Sequence, residues 1–155
     1  MGFKQIDRGQ CDQVAPCISC GGAMVVRADL FHELGGFDGI FDPFGPEDLD
    51  FSLRLQERGY EAWYIPTAVA LHEANHTFES GGYSAVYARS KAKHWLRFLK
   101  RHGTPLQKAG FFLVGAPVIA ARMVVREVLR GNPGAIVGSV RGFVEAMRPS
   151  GRGSR

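Results

Sequence analysis

Cysteine is scarce in this chain, basic residues are few in its first half, and no unbroken apolar run is long enough to span a bilayer. Three cysteines, an odd number, follow a polar opening, MGFKQIDRGQ, that has no signal-peptide pattern. Together these features indicate a reducing, cytoplasmic setting. The opening also lacks the Ser or Thr that a myristoylation signal requires. Cys17-Ile18-Ser19-Cys20 is a lone C-x-x-C, with no second pair to complete a zinc site. It lies before an expected strand, whereas a redox pair sits at a helix start, so ordinary loop or buried cysteines are expected. No internal repeat is visible.

What is present fits a folded protein. With 155 residues, 45% hydrophobic and 22% charged, the chain has material for one domain or half of a larger one. Charge is divided sharply along it. Residues 1–80 hold 5 Lys/Arg against 13 Asp/Glu, a net of −8, and residues 81–155 hold 14 against 2, a net of +12. Such asymmetry suits an acidic half that does chemistry and a basic half that meets an anionic partner. A membrane surface, a nucleic acid or a phosphorylated substrate would each qualify.

Residues 1–20 read as irregular, and GGAMVVR, Gly21–Arg27, as a short buried strand. ADLFHELGG predicts a short helix stopped by glycines, and FDGIFDPFGPED a turn-rich aromatic loop. A helix follows from about Pro46 to Arg58, closed by Gly59. YEAWYIP and AVALHEA read as extended segments. Beyond Gly81-Gly82, YSAVYARSKAKHWLRFLKRH predicts a long helix whose Arg89, Lys93, Arg97 and Arg101 recur every four positions. Two more helices are predicted, over roughly Pro105–Arg130 and Pro133–Met147, before a basic disordered tail at 150–155. The uncharged stretch Ala109–Ala121 falls short of the ~20 residues that a membrane span needs. An interfacial or re-entrant helix with a basic edge is expected there, with a plain core helix pair as the alternative.

Three carboxylates open the helix in FGPEDLDFSLRLQERGY. On a wheel advancing ~100° per residue, Glu47, Asp50, Arg54, Glu57 and Arg58 share one charged face. Asp50 and Arg54 stand at ion-pair spacing on it. Glu47 and Asp50 then read as solvated acids favoured by the helix dipole. Asp48 falls instead among Phe51, Ser52 and Leu55. A carboxylate turned inward is costly unless a donor compensates. At a helix start facing a cleft it is placed for general-base work, or alternatively as a cap for a neighbouring loop.

Gly21–Ala74 closely resembles the second half of family 2 glycosyltransferases, inverting sugar transferases of the GT-A fold, and most of all their rhamnosyltransferase-like branch. The features carrying this resemblance occur in order. They are a Gly-Ala strand, the GGFD turn at Gly35–Asp38, the aromatic loop, the Glu47-Asp48 pair opening a helix, Arg54 with Gly59-Tyr60, Pro66 with Ala68, and His72. Asp7–Gln13 resembles the loop that precedes them. The resemblance implies an α+β fold: short strands and the Asp48 helix complete a GT-A sheet, followed by two or three C-terminal helices. Residues 1–80 would form the acceptor-side half and residues 81–149 a basic, partly apolar helical region.

In such an enzyme Asp48 would be the general base. It would take the proton of an acceptor hydroxyl as that oxygen attacks the anomeric carbon of a nucleotide-sugar donor. Glu47 would help to hold the acceptor, Gly21 and Gly22 would let substrate approach the backbone, and His72 would help bind Mg²⁺ or Mn²⁺ or the donor diphosphate. The nucleotide-binding half and its D-x-D motif have no counterpart upstream of Gly21. The resemblance therefore implies an acceptor-side fragment, inactive alone, with most of the metal held by the missing half. A glycan or lipid-linked acceptor and a peripheral place on an anionic membrane, at the cytoplasmic face, are expected. An exposed sheet edge would favour oligomers. Two other classes stay open: a non-catalytic membrane-associated or interaction domain, and a nucleic-acid module using the basic stripe with Trp95 and Phe98. No docking motif supports the latter and the acidic half opposes it, so no nucleic acid is expected.

Overall fold

Gly35 and Gly36, at φ of 74° and 67°, end the first helix and turn the chain back on itself. Residues with side chains adopt this left-handed region at a cost, and glycine does not. The Gly36 N–H bonds the Phe31 carbonyl at 2.8 Å and the Gly35 N–H bonds that of His32 at 3.1 Å, which together close a Schellman cap. The computed structural model describes residues 6, 8–19, 23–71 and 84–148. They fall into two compact units. One takes the described residues up to Gly39 and those from Glu47 to Leu71; the other takes Ile40–Pro46 and those from Ser84 onward.

The first unit mixes helix and short strand. Strand β1, Ala15–Cys17, pairs antiparallel with β2, Ala62–Tyr64, with Pro16 opposite Trp63. Between them in sequence run α1, Ala28–Glu33, and α2, Glu47–Glu57. A second Schellman cap ends α2: the Tyr60 N–H reaches the Leu55 carbonyl, the Gly59 N–H reaches that of Gln56, and Gly59 has φ 83°. Phe31, Phe37 and Phe51 pack edge to face or tilted at 5.3–5.6 Å around fully buried Phe51. The Gln56 amide donates to the Cys17 and Ile18 carbonyls, which ties α2 to the end of β1.

The strand expected over Gly21–Arg27 is not found in its described part, Ala23–Arg27, and β1 lies in the segment read as irregular. Met24 and Val26 do alternate inward, as in a strand, but they turn towards a cleft and not towards a pairing neighbour. Cys17 is therefore part of β1, and Cys20 lies outside the described residues.

The second unit is helical. Helix α3, Ala85–His102, begins on the Ser84 hydroxyl, which accepts from the Tyr87 N–H. Helix α4, Pro105–Gly110, opens with a Thr104–Gln107 capping box and continues through a π-turn, Phe111–Gly115, into α5, Ala116–Leu129. Pro117 has no N–H to give to the turn before it, and the widened π-turn absorbs that gap. Gly131 ends α5 with a third Schellman cap, and Asn132 caps α6, Pro133–Met147.

Helices α3 and α6 touch backbone to backbone. A Cβ at Gly138 would sit 2.1 Å from the Ala85 carbonyl oxygen, and one at Gly142 would sit 2.1 Å from that of Arg89. Two glycines four residues apart thus remove the side chains from one stripe of α6, as in the G-x-x-x-G contact. Segment Ile40–Pro46 is anchored on α3 through fully buried Phe41 and through Arg97, which donates to the Ile40 carbonyl at 3.1 Å. The fold is α+β, with short strands in one unit and long helices in the other.

Candidate active site

A cleft of about 590 Å³ opens in the first unit beside the start of α2. Met24, Val26, Phe31 and Phe37 form its apolar walls, and His32, Glu47 and Asp48 supply its polar groups. Ala28, Phe31 and His32 reach it together because they stand at i, i+3 and i+4 on α1. Glu47 and Asp48 reach it because Pro46 starts α2 there, at the helix end where backbone N–H groups point outward without intrahelical partners. The Leu49 N–H donates to Asp48 Oδ1 at 2.7 Å, holding the carboxylate on the positive end of the helix dipole. Asp48 is half-buried: partly dehydrated, hydrogen-bonded and open to a cleft.

Ser52 locks this arrangement from below. Its buried hydroxyl donates to the Asp48 carbonyl at 2.8 Å and also contacts Met24 Sδ at 3.8 Å, so the first turn of α2 and the Met24 wall share one anchor. Glu47 is half-buried, and its Oε2 is buried with no hydrogen-bond partner among the described residues. The solvated role expected for Glu47 is therefore corrected: it faces the cleft beside Asp48.

Asp50 corrects the wheel more strongly. It is 0% exposed and accepts from Arg54 Nε at 2.9 Å. Arg54 in turn donates to the carbonyls of Leu34 and Gly36 and lies over the Phe51 ring. The ion-pair spacing read from sequence is realised, but on a covered face. The wheel counted only apolar side chains as buried, while the α1–Gly36 turn folds over this face of α2 and supplies carbonyl partners for the cation.

In the second unit the basic stripe is largely engaged within the fold. Arg89 pairs with Glu145 at 2.8 Å, Arg97 bonds the Ile40 carbonyl, and Arg101 lies over Phe41. Burial first, and then the Arg97 charge, hold Lys93 below the usual lysine range, with Glu145 opposing. His94 is fully buried against the edge of Phe41, and among the described residues its ring nitrogens make no hydrogen bond of full geometry, only a looser approach to the Phe44 backbone. Burial, then the charges of Lys93 and Arg97, lower its pKa to about 4, while the Phe44 backbone and Asp42 pull weakly the other way.

Asp48 and Glu47 are thus brought together in one cleft. Gly21, Gly22 and His72 lie outside the described residues, as does the tail at 150–155. His32, Met24 and Phe37 were not singled out from sequence; the i, i+3, i+4 spacing of Ala28, Phe31 and His32 is the signal that marks His32. Among the described residues no group of three or more His, Cys, Asp or Glu side chains is placed to hold a metal ion. The description Glycosyl transferase family group 2 matches residues 2–129. The chain belongs to this family. The family match extends through α3, α4 and α5, so the basic and apolar helices are included in it along with the cleft. No curated protein and no solved structure matches the chain.

Proposed function

We propose that this glycosyltransferase chain forms the acceptor side of an inverting enzyme in which Asp48 is the general base. The observation that carries the reading is the placement of Asp48 and Glu47 together in the cleft, while Asp50, in the same turn, is buried in an ion pair. An acceptor hydroxyl seated between the apolar walls would donate to Asp48. As its oxygen bonds to the anomeric carbon of a nucleotide-activated sugar, the bond to the diphosphate breaks on the opposite face and the hydroxyl proton passes to Asp48. One displacement inverts the anomeric centre and needs no protein nucleophile. Glu47 orients the acceptor.

The Mg²⁺ or Mn²⁺ that such a donor diphosphate would bring does not fit the described residues, which offer no cluster of ligands for it. No Lys or Arg side chain lines the described cleft either. Donor and metal are therefore assigned to a separate nucleotide-binding half, with His72 as this chain's candidate contribution. Isothermal titration of this chain with nucleotide-sugars and Mg²⁺ tests that division. Little or no binding is expected; tight metal-dependent binding would overturn it.

The acceptor is a glycan or lipid-linked sugar of a cell-wall or surface polysaccharide, reached at the cytoplasmic face of an anionic membrane. The helix Pro105–Leu129 supports this placement. It runs for 25 residues, has a mean hydropathy of 1.6 in its most apolar window, and none of that window is buried. By length and composition it is able to cross a bilayer, which corrects the count that stopped at Ala121: the helix continues past Lys108 and Arg122 at the ends of the apolar stretch. The nucleic-acid reading loses ground because Arg89, Arg97 and Arg101 are engaged by the fold itself.

A further inference from the structure

We infer that the cleft selects an acceptor whose reacting ring carries no anionic group, with Glu47 imposing the charge rule and Phe37 the packing surface. This rests on the acceptor-side reading and adds the chemical class of the acceptor to it. Glu47 lines the cleft and its Oε2 is buried with no hydrogen-bond partner among the described residues, so no described donor offsets the charge this carboxylate presents to whatever enters. A sugar hydroxyl supplies an O–H. An ionised carboxylate or phosphate brings acceptor oxygens and a like charge, and Asp48 adds a second negative group beside it.

The described lining offers no Lys or Arg to offset a ligand anion. The same cleft is lined by Met24, Val26, Phe31 and Phe37, and Phe37 leaves 47% of its surface exposed. The C–H face of a pyranose packs on such an aromatic wall, whereas a charged substituent would lose its water there without a partner. Selection of this kind works by rejection as much as by attraction: the wrong ligand meets repulsion and an unpaired buried group.

The test is a ¹⁵N NMR titration of the full chain at pH 8 with matched pairs of probes. Each pair is a neutral methyl glycoside and the uronate of the same ring, in the gluco, galacto and manno series, so that sugar stereochemistry cancels within a pair. The expected result is binding of the neutral member about tenfold or more tightly than its uronate, with shifts at the cleft residues. Glu47→Gln should bring the two within about threefold. Phe37→Ala should weaken the neutral member and leave the sign of the discrimination unchanged. Equal or tighter uronate binding, or a ratio that Glu47→Gln does not move, would overturn the inference, as would binding of neither member of any pair. Failure here leaves the transferase reading intact, because that reading is decided by turnover of the Asp48 variant and not by acceptor charge.

Discussion

Asp48 and Asp50 stand two residues apart in one helical turn and meet different surroundings: a cleft for the first, burial against the Arg54 guanidinium for the second. Removing Arg54 would leave Asp50 buried without its cation. Arg54→Met is expected to cost about 3–5 kcal/mol in urea unfolding, and Asp50→Leu with Arg54→Met to recover much of that loss. If the single and double variants lose equally, the pair has no such coupling. His94 makes a second residue-scale prediction. Its folded pKa of about 4 lies below the unfolded value of 6.5, so as pH falls the unfolded chain takes up the proton first. The stability contribution is present above about pH 6.5 and is lost progressively down to about pH 4. Between pH 7 and pH 5 the loss should be about 2 kcal/mol, and His94→Leu should flatten that slope. An unchanged slope in the variant would assign acid sensitivity elsewhere.

At the scale of elements, the helices were legible, and of the two strands β2 was, inside the extended segment YEAWYIP, while β1 was not. Gly35, Gly59 and Gly131 each follow a periodic run and each closes a Schellman cap, so local chemistry marks where α1, α2 and α5 end. Pro105 and Pro133 mark two starts in the same local way. A three-residue strand has no such signal. Ala15–Cys17 is a strand because Ala62–Tyr64 lies beside it, and that pairing joins residues far apart in sequence. The burial of Asp50 was hidden for the same reason, since the carbonyls that receive Arg54 come from another element. The α3–α6 contact yields a prediction at this scale. Gly142→Ala would place a Cβ against the Arg89 carbonyl and must spread the helices. It is expected to destabilise the protein by roughly 1–3 kcal/mol in thermal or urea unfolding, whereas Ala at exposed Gly134, where the nearest side-chain atom is 3.6 Å away, should be tolerated. Equal effects at the two sites would contradict backbone-to-backbone packing.

For the whole molecule, charge and exposed apolar surface argue together. An acidic first half carries the cleft, and a basic second half carries an apolar helix that is nowhere buried in its most apolar window. Flotation with vesicles should therefore show binding to phosphatidylglycerol-containing membranes, weakened by salt, and Val118→Asp with Ile119→Asp should reduce it strongly. Equal recovery with neutral vesicles would remove the electrostatic part. The two-stranded sheet has edges of only three residues each, a short template for pairing with a second copy. On the proposed reading catalysis is also a property of the whole, because it would need a donor site as well as this cleft. The most direct measurement is the transfer rate of Asp48→Asn in the enzyme that joins this chain to its donor half, at saturating donor. A fall of about 10²–10⁴-fold with donor binding unchanged is the expected result. Turnover within about tenfold of the parent would contradict the assignment of Asp48 as the base.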